Sequence, residues 1–184
     1  MITQRSLPYR SDSTHYFEKL RPLGQAVFLD SGRPLCPWGR FDILSAAPIE
    51  TITYKNDDSS AAFDALEALY QQYQTSLSEN PDLPFQGGLI GHFNYDLGRS
   101  FAKLSIEDDN EYLLPEMSVG MYLWALVVDH HKETATLIAH PTVKTDLLNH
   151  IERRLTANEQ CPPSSFALKA PFKANISREQ YHDK

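Results

Sequence analysis

At 184 residues the chain is long enough for one good-sized domain and short for two. Hydrophobic residues make up 41% and charged ones 22%, an ordinary globular balance that excludes disorder over the whole length. Seventeen basic against 24 acidic residues leave a net charge of −7, so the basic footprint of a nucleic-acid or anionic-membrane binder is missing.

The two cysteines, Cys36 and Cys161, lie far apart and in no C-x-x-C pattern, which argues against a disulfide scaffold or a cysteine zinc site. Both read as free thiols. Around Arg5, Arg10 and Asp12 there is no apolar core of a signal peptide. The longest nearly unbroken apolar run, Val119 to Val128, falls well short of the roughly 20 residues that a membrane helix needs. A soluble cytoplasmic protein is expected.

In chain order, residues 25 to 31 read as a short strand, and the two Gly and two Pro between Gly32 and Gly39 mark a loop. The segment 41 to 48 is a second strand, stopped at Pro48. Residues 49 to 54 alternate with period two, and these two segments read as an antiparallel pair. Ser59 and Ser60 offer caps for an amphipathic helix over 61 to 77, whose Ala62, Leu66, Leu69, Tyr73 and Leu77 recur at helical steps. Pro81 and Pro84 then break the chain, and Gly87 to Arg99 forms a further β segment. Val119 to Asp129 is apolar on both alternating faces, as in a single strand between two layers. A polar turn over 130 to 133 and a return strand over 134 to 140 complete a hairpin. Leu147, Leu148, Ile151 and Leu155 then predict a helix over 145 to 156. Residues 157 to 176, with Pro162, Pro163 and Pro171, read as a linker. Ser177 and Gln180 form the S-x-x-Q capping box of a new helix just before the last residue. That placement points to a piece of a longer polypeptide.

No G-x-S-x-G, H-E-x-x-H, Walker or EF-hand pattern occurs. Gly87, Gly88 and Gly91 are too few and wrongly spaced for a dinucleotide loop and are expected to let strands bend or approach closely. His130 and His131 are adjacent, so they point to opposite faces and suit a solvated turn better than a metal site. The acidic run Glu107, Asp108, Asp109, Glu111 reads as a solvated loop. Cys36, between Leu35 and Pro37, has no base beside it in sequence.

The loop Ser31 to Asp42 concentrates more chemistry, and loops held by a sheet commonly bind ligands. Trp38 offers a flat apolar wall, Arg40 a charge for a carboxylate and Gly39 close backbone approach. The plain alternative is a surface loop with Trp38 folded over the core and Arg40 paired with Asp42.

LDSG at 29 to 32, GRFDILSAAP at 39 to 48, LPFQGGLIGHFNYDLGR at 83 to 99, LPEMSVGMYLWALVVDH at 114 to 130 and ISREQY at 176 to 181 together resemble the N-terminal region of chorismate-utilising enzymes of the anthranilate synthase component I type. The likeness is nearer to the folate branch than to the tryptophan branch. It implies an α+β fold in which antiparallel sheets form a sandwich-like body with flanking helices, and residues 1 to 156 form that domain. Residues 177 to 184 would begin the chorismate-binding domain.

The resemblance also implies a complete enzyme that aminates chorismate for p-aminobenzoate and folate synthesis, with ammonia from a glutamine amidotransferase subunit. Mg²⁺, its glutamate ligands and the chorismate pocket belong to the other half. No catalytic residue, metal ligand or cofactor site is therefore carried over, and this stretch alone is expected to be inactive. The tryptophan pocket of the family is carried over onto Ser31, Trp38, Gly39, Arg40 and Phe41, with L-tryptophan as a structural ligand. A tryptophan-branch anthranilate synthase component I is an alternative. A second is a free-standing sensor that binds an aromatic amino acid through Ser31, Trp38 and Arg40.

Overall fold

The computed structural model describes residues 2–33, 36, 38–55, 59–74, 82–95, 97–102, 114–157 and 167–183. In chain order the elements are β1 (Thr3–Leu7), α1 (Thr14–Leu20) with a 3-10 turn at Arg21–Leu23, β2 (Val27–Leu29), β3 (Phe41–Ser45), β4 (Glu50–Tyr54), α2 (Ser59–Tyr73), β5 (Gly88–Phe93), α3 (Leu97–Ala102), β6 (Met117–Tyr122), β7 (Trp124–Asp129), β8 (Thr134–Ala139), α4 (Thr145–Thr156) and α5 (Arg178–His182). They build a five-stranded sheet in the order β1-β8-β7-β3-β2 and a three-stranded sheet in the order β4-β6-β5. Every neighbouring pair is antiparallel.

The apolar run 119–129 is two strands rather than the single one its pattern predicts. The chain leaves the ladder at Leu123, whose carbonyl accepts from the His140 amide at 2.7 Å, and resumes in the other sheet. β6 is the middle strand of the small sheet and β7 the middle strand of the large one. Central strands covered on both faces need no polar side, so all six residues of β7 are buried. Apolarity on two faces therefore signals burial and says nothing about where one strand ends and the next begins.

A second departure lies at residues 41–54. β3 pairs with β2 and β7, whereas β4 pairs with β6, so the two segments belong to different sheets. Ala47, at φ 51°, and Pro48 carry the chain across. The linking amides are spent outward, Ala47 to the Gly24 carbonyl at 2.9 Å and Ile49 to the Met121 carbonyl at 2.9 Å, which leaves none to close a hairpin.

The main core lies between the large sheet and the pair α1 and α4. Tyr16, Leu20, Leu148, Ile151 and Leu155 pack there against Leu44, Leu126 and Leu137. Leu148, Ile151 and Leu155 recur at helical spacing, and α4 has the bounds its sequence predicts. On the opposite face of the same sheet, Leu83, Val127 and Ile138 form a smaller cluster joined by Phe41. α2 buries Ala62 and Leu66 against Tyr54, Met117 and Val119 of the small sheet. Ser59 and Ser60 are the first residues of α2 rather than the residues before it, and the predicted end of that helix, from Gln74 on, falls outside it or outside the described residues. The β segment expected over 87–99 stops at Phe93, and Leu97 opens α3 with its side chain in the core.

β1 and α1 have no counterpart in the sequence reading. β1 is an edge strand of polar residues in which only Leu7 is buried, so it carries no periodic apolar signal. α5 follows its capping box: the Gln180 amide donates to Ser177 Oγ at 3.2 Å and the Ser177 amide donates to Gln180 Oε1 at 2.8 Å.

The ends of α1 and α4 lock together. Lys19, 7% exposed, donates from Nζ to the carbonyls of Leu155 (3.0 Å) and Ala157 at the C-terminus of α4, and Arg154 donates back to the Lys19 carbonyl. A cation is favourable beside the unpaired carbonyls of a helix end. Lys19→Met keeps the stem and removes the donors. It is expected to cost about 2 kcal/mol, read as a lower urea midpoint at unchanged slope.

Candidate functional site

The loop from Ser31 to Arg40 sits at the end of the large sheet where β7 turns into β8. Alternation along β3 sends Asp42 and Leu44 toward α1, and Val128 and then His130 follow the same face from the neighbouring strand. Asp42 is fully buried and its carboxylate is saturated with donors. Oδ1 accepts from the Ser31 amide and the Ser31 hydroxyl, each at 2.8 Å, and Oδ2 lies 2.8 Å from His130 Nε2. His130 Nδ1 in turn meets the Tyr9 hydroxyl at 3.0 Å. Burial by itself would raise the Asp42 pKa, but the hydrogen bonds from Ser31 and His130 outweigh it and hold the carboxyl below its ordinary range.

His130 is thus no solvated turn histidine. Its side chain is 2% exposed because it continues the inward face of β7 one residue past the end of the strand. His131 is exposed, as expected.

On the other face a second network forms around Arg40. Its guanidinium donates to Asp129 at 2.8 Å and to Asp82 at 2.9 Å, and lies 4.3 Å from the Phe41 ring centroid. Lys132 pairs with the second oxygen of Asp82. Asp129 also accepts from the amides of His131 and Lys132. Against the burial that would raise it, the bonds from Arg40, Lys132 and His131 hold the Asp129 carboxyl below its ordinary range. Arg40 therefore pairs with Asp129 and Asp82 rather than with Asp42, and its charge is already met by two carboxylates.

Of the five residues singled out in the loop, the fold gathers four. Gly39 closes on Ser31 so tightly that a Cβ at residue 39 would stand 2.3 Å from the Ser31 carbonyl oxygen. Arg40 and Phe41 follow on the opposite side of the strand from Asp42. Trp38 departs from them: it is 88% exposed and covers no part of the core. Cys36 is half-buried and free, while Cys161 and the acidic run 107–111 lie outside the described residues.

The order of the first network decides its chemistry. Nucleophile activation needs a base against the serine and a carboxylate behind that base. Here the carboxylate stands between Ser31 and His130, so it fixes the serine hydroxyl without making it nucleophilic. With its proton committed to Asp42, Ser31 Oγ is left as an oriented acceptor. Tyr9, Asp82, Asp129 and His130 carry no sequence signal that makes them partners of this loop, and Asp42, offered by the sequence as a partner for Arg40, meets Ser31 and His130 instead. The one available signal was an aspartate at an inward position of the alternating segment Phe41–Ser45.

Among the described residues no three His, Cys, Asp or Glu side chains converge to hold a metal ion, and no helix is long and apolar enough to cross a membrane.

The family model for chorismate binding enzymes matches residues 25–184. The chain belongs to that family. It is 35% identical over 192 aligned residues to aminodeoxychorismate synthase component 1 of Escherichia coli (strain K12), an alignment that covers 97% of this chain and 41% of the relative. It is 31% identical over 153 residues to anthranilate synthase component 1 of Thermus thermophilus, covering 77% of this chain and 33% of the relative. The chain therefore spans about two fifths of the length of the first of these family members. The crystal structure of anthranilate synthase component I from Streptococcus pneumoniae TIGR4 superposes on 70% of this chain and 30% of that one, with a TM-score of 0.50 and 27% identity. The α+β arrangement of antiparallel sheets with flanking helices is the one the family resemblance implies.

Proposed function

We propose that this chain is the N-terminal, tryptophan-pocket-bearing part of an aminodeoxychorismate synthase component 1, which aminates chorismate to 4-amino-4-deoxychorismate for p-aminobenzoate and folate synthesis. The carrying observation is the alignment at 35% identity over 97% of the chain. The tryptophan-branch relative from Thermus thermophilus reaches 31% over a smaller share, 77%. In this reading residues 1–156 are the structural domain, 157–176 a linker and 177–184 the beginning of the chorismate-binding domain. A glutamine amidotransferase, component 2, supplies ammonia in the cytoplasm. Mg²⁺ serves the complete enzyme, but the described residues do not fit a Mg²⁺ site and no step through the ion is assigned to them.

The test compares this chain with the enzyme of relative-like length that contains it, each given chorismate, ammonium and Mg²⁺. The longer enzyme is expected to release 4-amino-4-deoxychorismate, and this chain alone none. Anthranilate as the product would move the assignment to the tryptophan branch. Turnover by this chain alone would return catalysis to its own residues.

Within the same reading, the Ser31 loop is the family's tryptophan pocket. Its support is the half-buried Ser31 acceptor pinned by Asp42, with Gly39 closed against it, while Phe41 lies on the other side of β3 under Arg40. Arg40 holds the loop to β7 through Asp129 instead of offering a free charge, and Trp38 contributes an exposed ring. Calorimetry with L-tryptophan on the longer enzyme is expected to lose about tenfold in affinity for Ser31→Ala. Equal affinity would place the ligand elsewhere.

A further inference from the structure

Two concavities meet on the outer side of α4, and His150 lines both. The first, about 290 Å³, is walled by Leu23, Val143, Leu147 and Ile151, with Ile49 at its rim. Leu147 and Ile49 are 49% and 47% exposed, so apolar surface remains open there. The second, about 430 Å³, lies between the end of α1 and the end of α4, with Lys19, Arg153 and Arg154 around it. Together they form one groove along α4 from Lys144 to Arg154, about 15 Å at the rise of an α-helix. It is apolar at one end and cationic at the other.

Apart from Lys19, whose ammonium is held by the carbonyls of Leu155 and Ala157, the cations of this groove meet no carboxylate among the described residues, in a chain whose net charge is −7. Lys144, His150, Arg153 and Arg154 make no ion pair among the described residues. Glu18, the one acidic side chain on the wall, is turned to Arg21 at 3.0 Å. Residues 167–183 of the same chain carry Lys169, Lys173 and Arg178 against Glu179 and Asp183. That segment has the wrong sign to fill the groove.

We propose that this groove between α1 and α4 docks an acidic, amphipathic segment of a partner protein. One or two apolar side chains enter the bay over Leu147, and carboxylates lie one to two helical turns further on, against His150, Arg153 and Arg154. The proposal stands apart from the tryptophan pocket and from the chorismate reaction. The cationic end steers an acidic partner and sets its direction, while the apolar bay supplies the anchor.

The experiment uses the full chain and a fluorescein-labelled peptide with a Leu-Leu-Phe anchor followed by four glutamates, read by anisotropy. Saturable binding that weakens with added salt is expected. His150→Glu combined with Arg153→Glu, two exposed positions at the cationic end, should weaken it about tenfold or more. Leu147→Asp should weaken it similarly, with circular dichroism showing each variant folded. No binding of the peptide overturns the proposal, as does equal binding of a control with lysines in place of the glutamates, or indifference to the variants. Sedimentation with phosphatidylglycerol vesicles in place of peptide binding would assign the groove to a lipid surface instead.

Discussion

Asp42→Ala is expected to cost roughly 3 to 5 kcal/mol, the larger of two effects that single substitutions should have here. The carboxylate accepts from the Ser31 amide, the Ser31 hydroxyl and His130, and its own side chain is fully buried. Alanine leaves the buried His130 and the half-buried Ser31 amide and hydroxyl without their acceptor, and the desolvation cost is uncompensated above all at His130. In a domain of this size the change should lower the melting temperature by about 10 °C. Asp42→Asn retains the volume but turns one acceptor into a donor, so an intermediate loss is expected. Urea unfolding of the three proteins at neutral pH checks the order.

The same residue fixes the sign of an acid effect. Its carboxyl is held below the ordinary range in the folded chain, so the folded state binds that proton less readily than the unfolded state does. The stabilisation is complete above the ordinary aspartate value of about 3.9 and is lost as the pH falls through the depressed folded value. Asp42→Ala should accordingly show a smaller drop in stability between pH 5 and pH 3 than the parent chain. Among the described residues, Asp129, Asp82 and Glu179, whose carboxyls are also lowered, add to the parent's acid sensitivity. An equal drop in both proteins would remove Asp42 from the account.

The second large effect is expected at Gly91, in the middle of β5. A Cβ there would lie 2.1 Å from the Ser118 carbonyl oxygen and 2.5 Å from Val119 Cα. Both are backbone atoms of β6, the strand that β5 pairs with in register Gly91↔Val119. No side-chain rotation relieves such a contact, so the edge strand must move away from the centre of the sheet. Gly91→Ala is expected to cost about 3 kcal/mol, and Gly91→Val more. Both should show in amide exchange as loss of protection along Gly88–Phe93 before the large sheet is affected. Gly98, where a Cβ would meet nothing within 4 Å, is the control position: Gly98→Ala should leave stability within about 0.5 kcal/mol.

The contrast between these two sites shows what the sequence could disclose. Gly91 lies in a glycine-rich apolar segment, and the need for close strand approach was readable there. The loop from Ser31 to Arg40 was readable as well, because its hydroxyl, glycine and arginine are neighbours in the chain. Its partners were not. Arg40 meets Asp129 across 89 positions and Asp82 across 42, and Tyr9 meets His130 across 121. Those meetings depend on strand register, which packing fixes and local pattern does not. Helix α4 was legible because one amphipathic face met one core. The boundary at Leu123 was hidden because two central strands in different sheets present the same unbroken apolarity as one. The edge strand β1 was hidden for the opposite reason, since its partner supplies the burial and its own residues stay polar.

The passage at Leu123 has a consequence for how the protein comes apart. One continuous stretch of backbone serves as the spine of both sheets, so neither can open at its centre without pulling on the other. The two are therefore expected to form a single cooperative foldon, with fraying confined to the outer strands β1, β2, β4 and β5. Tension applied to either half of the chain would be transmitted through Leu123, and the slowest-exchanging amides of both β6 and β7 should report one shared global event.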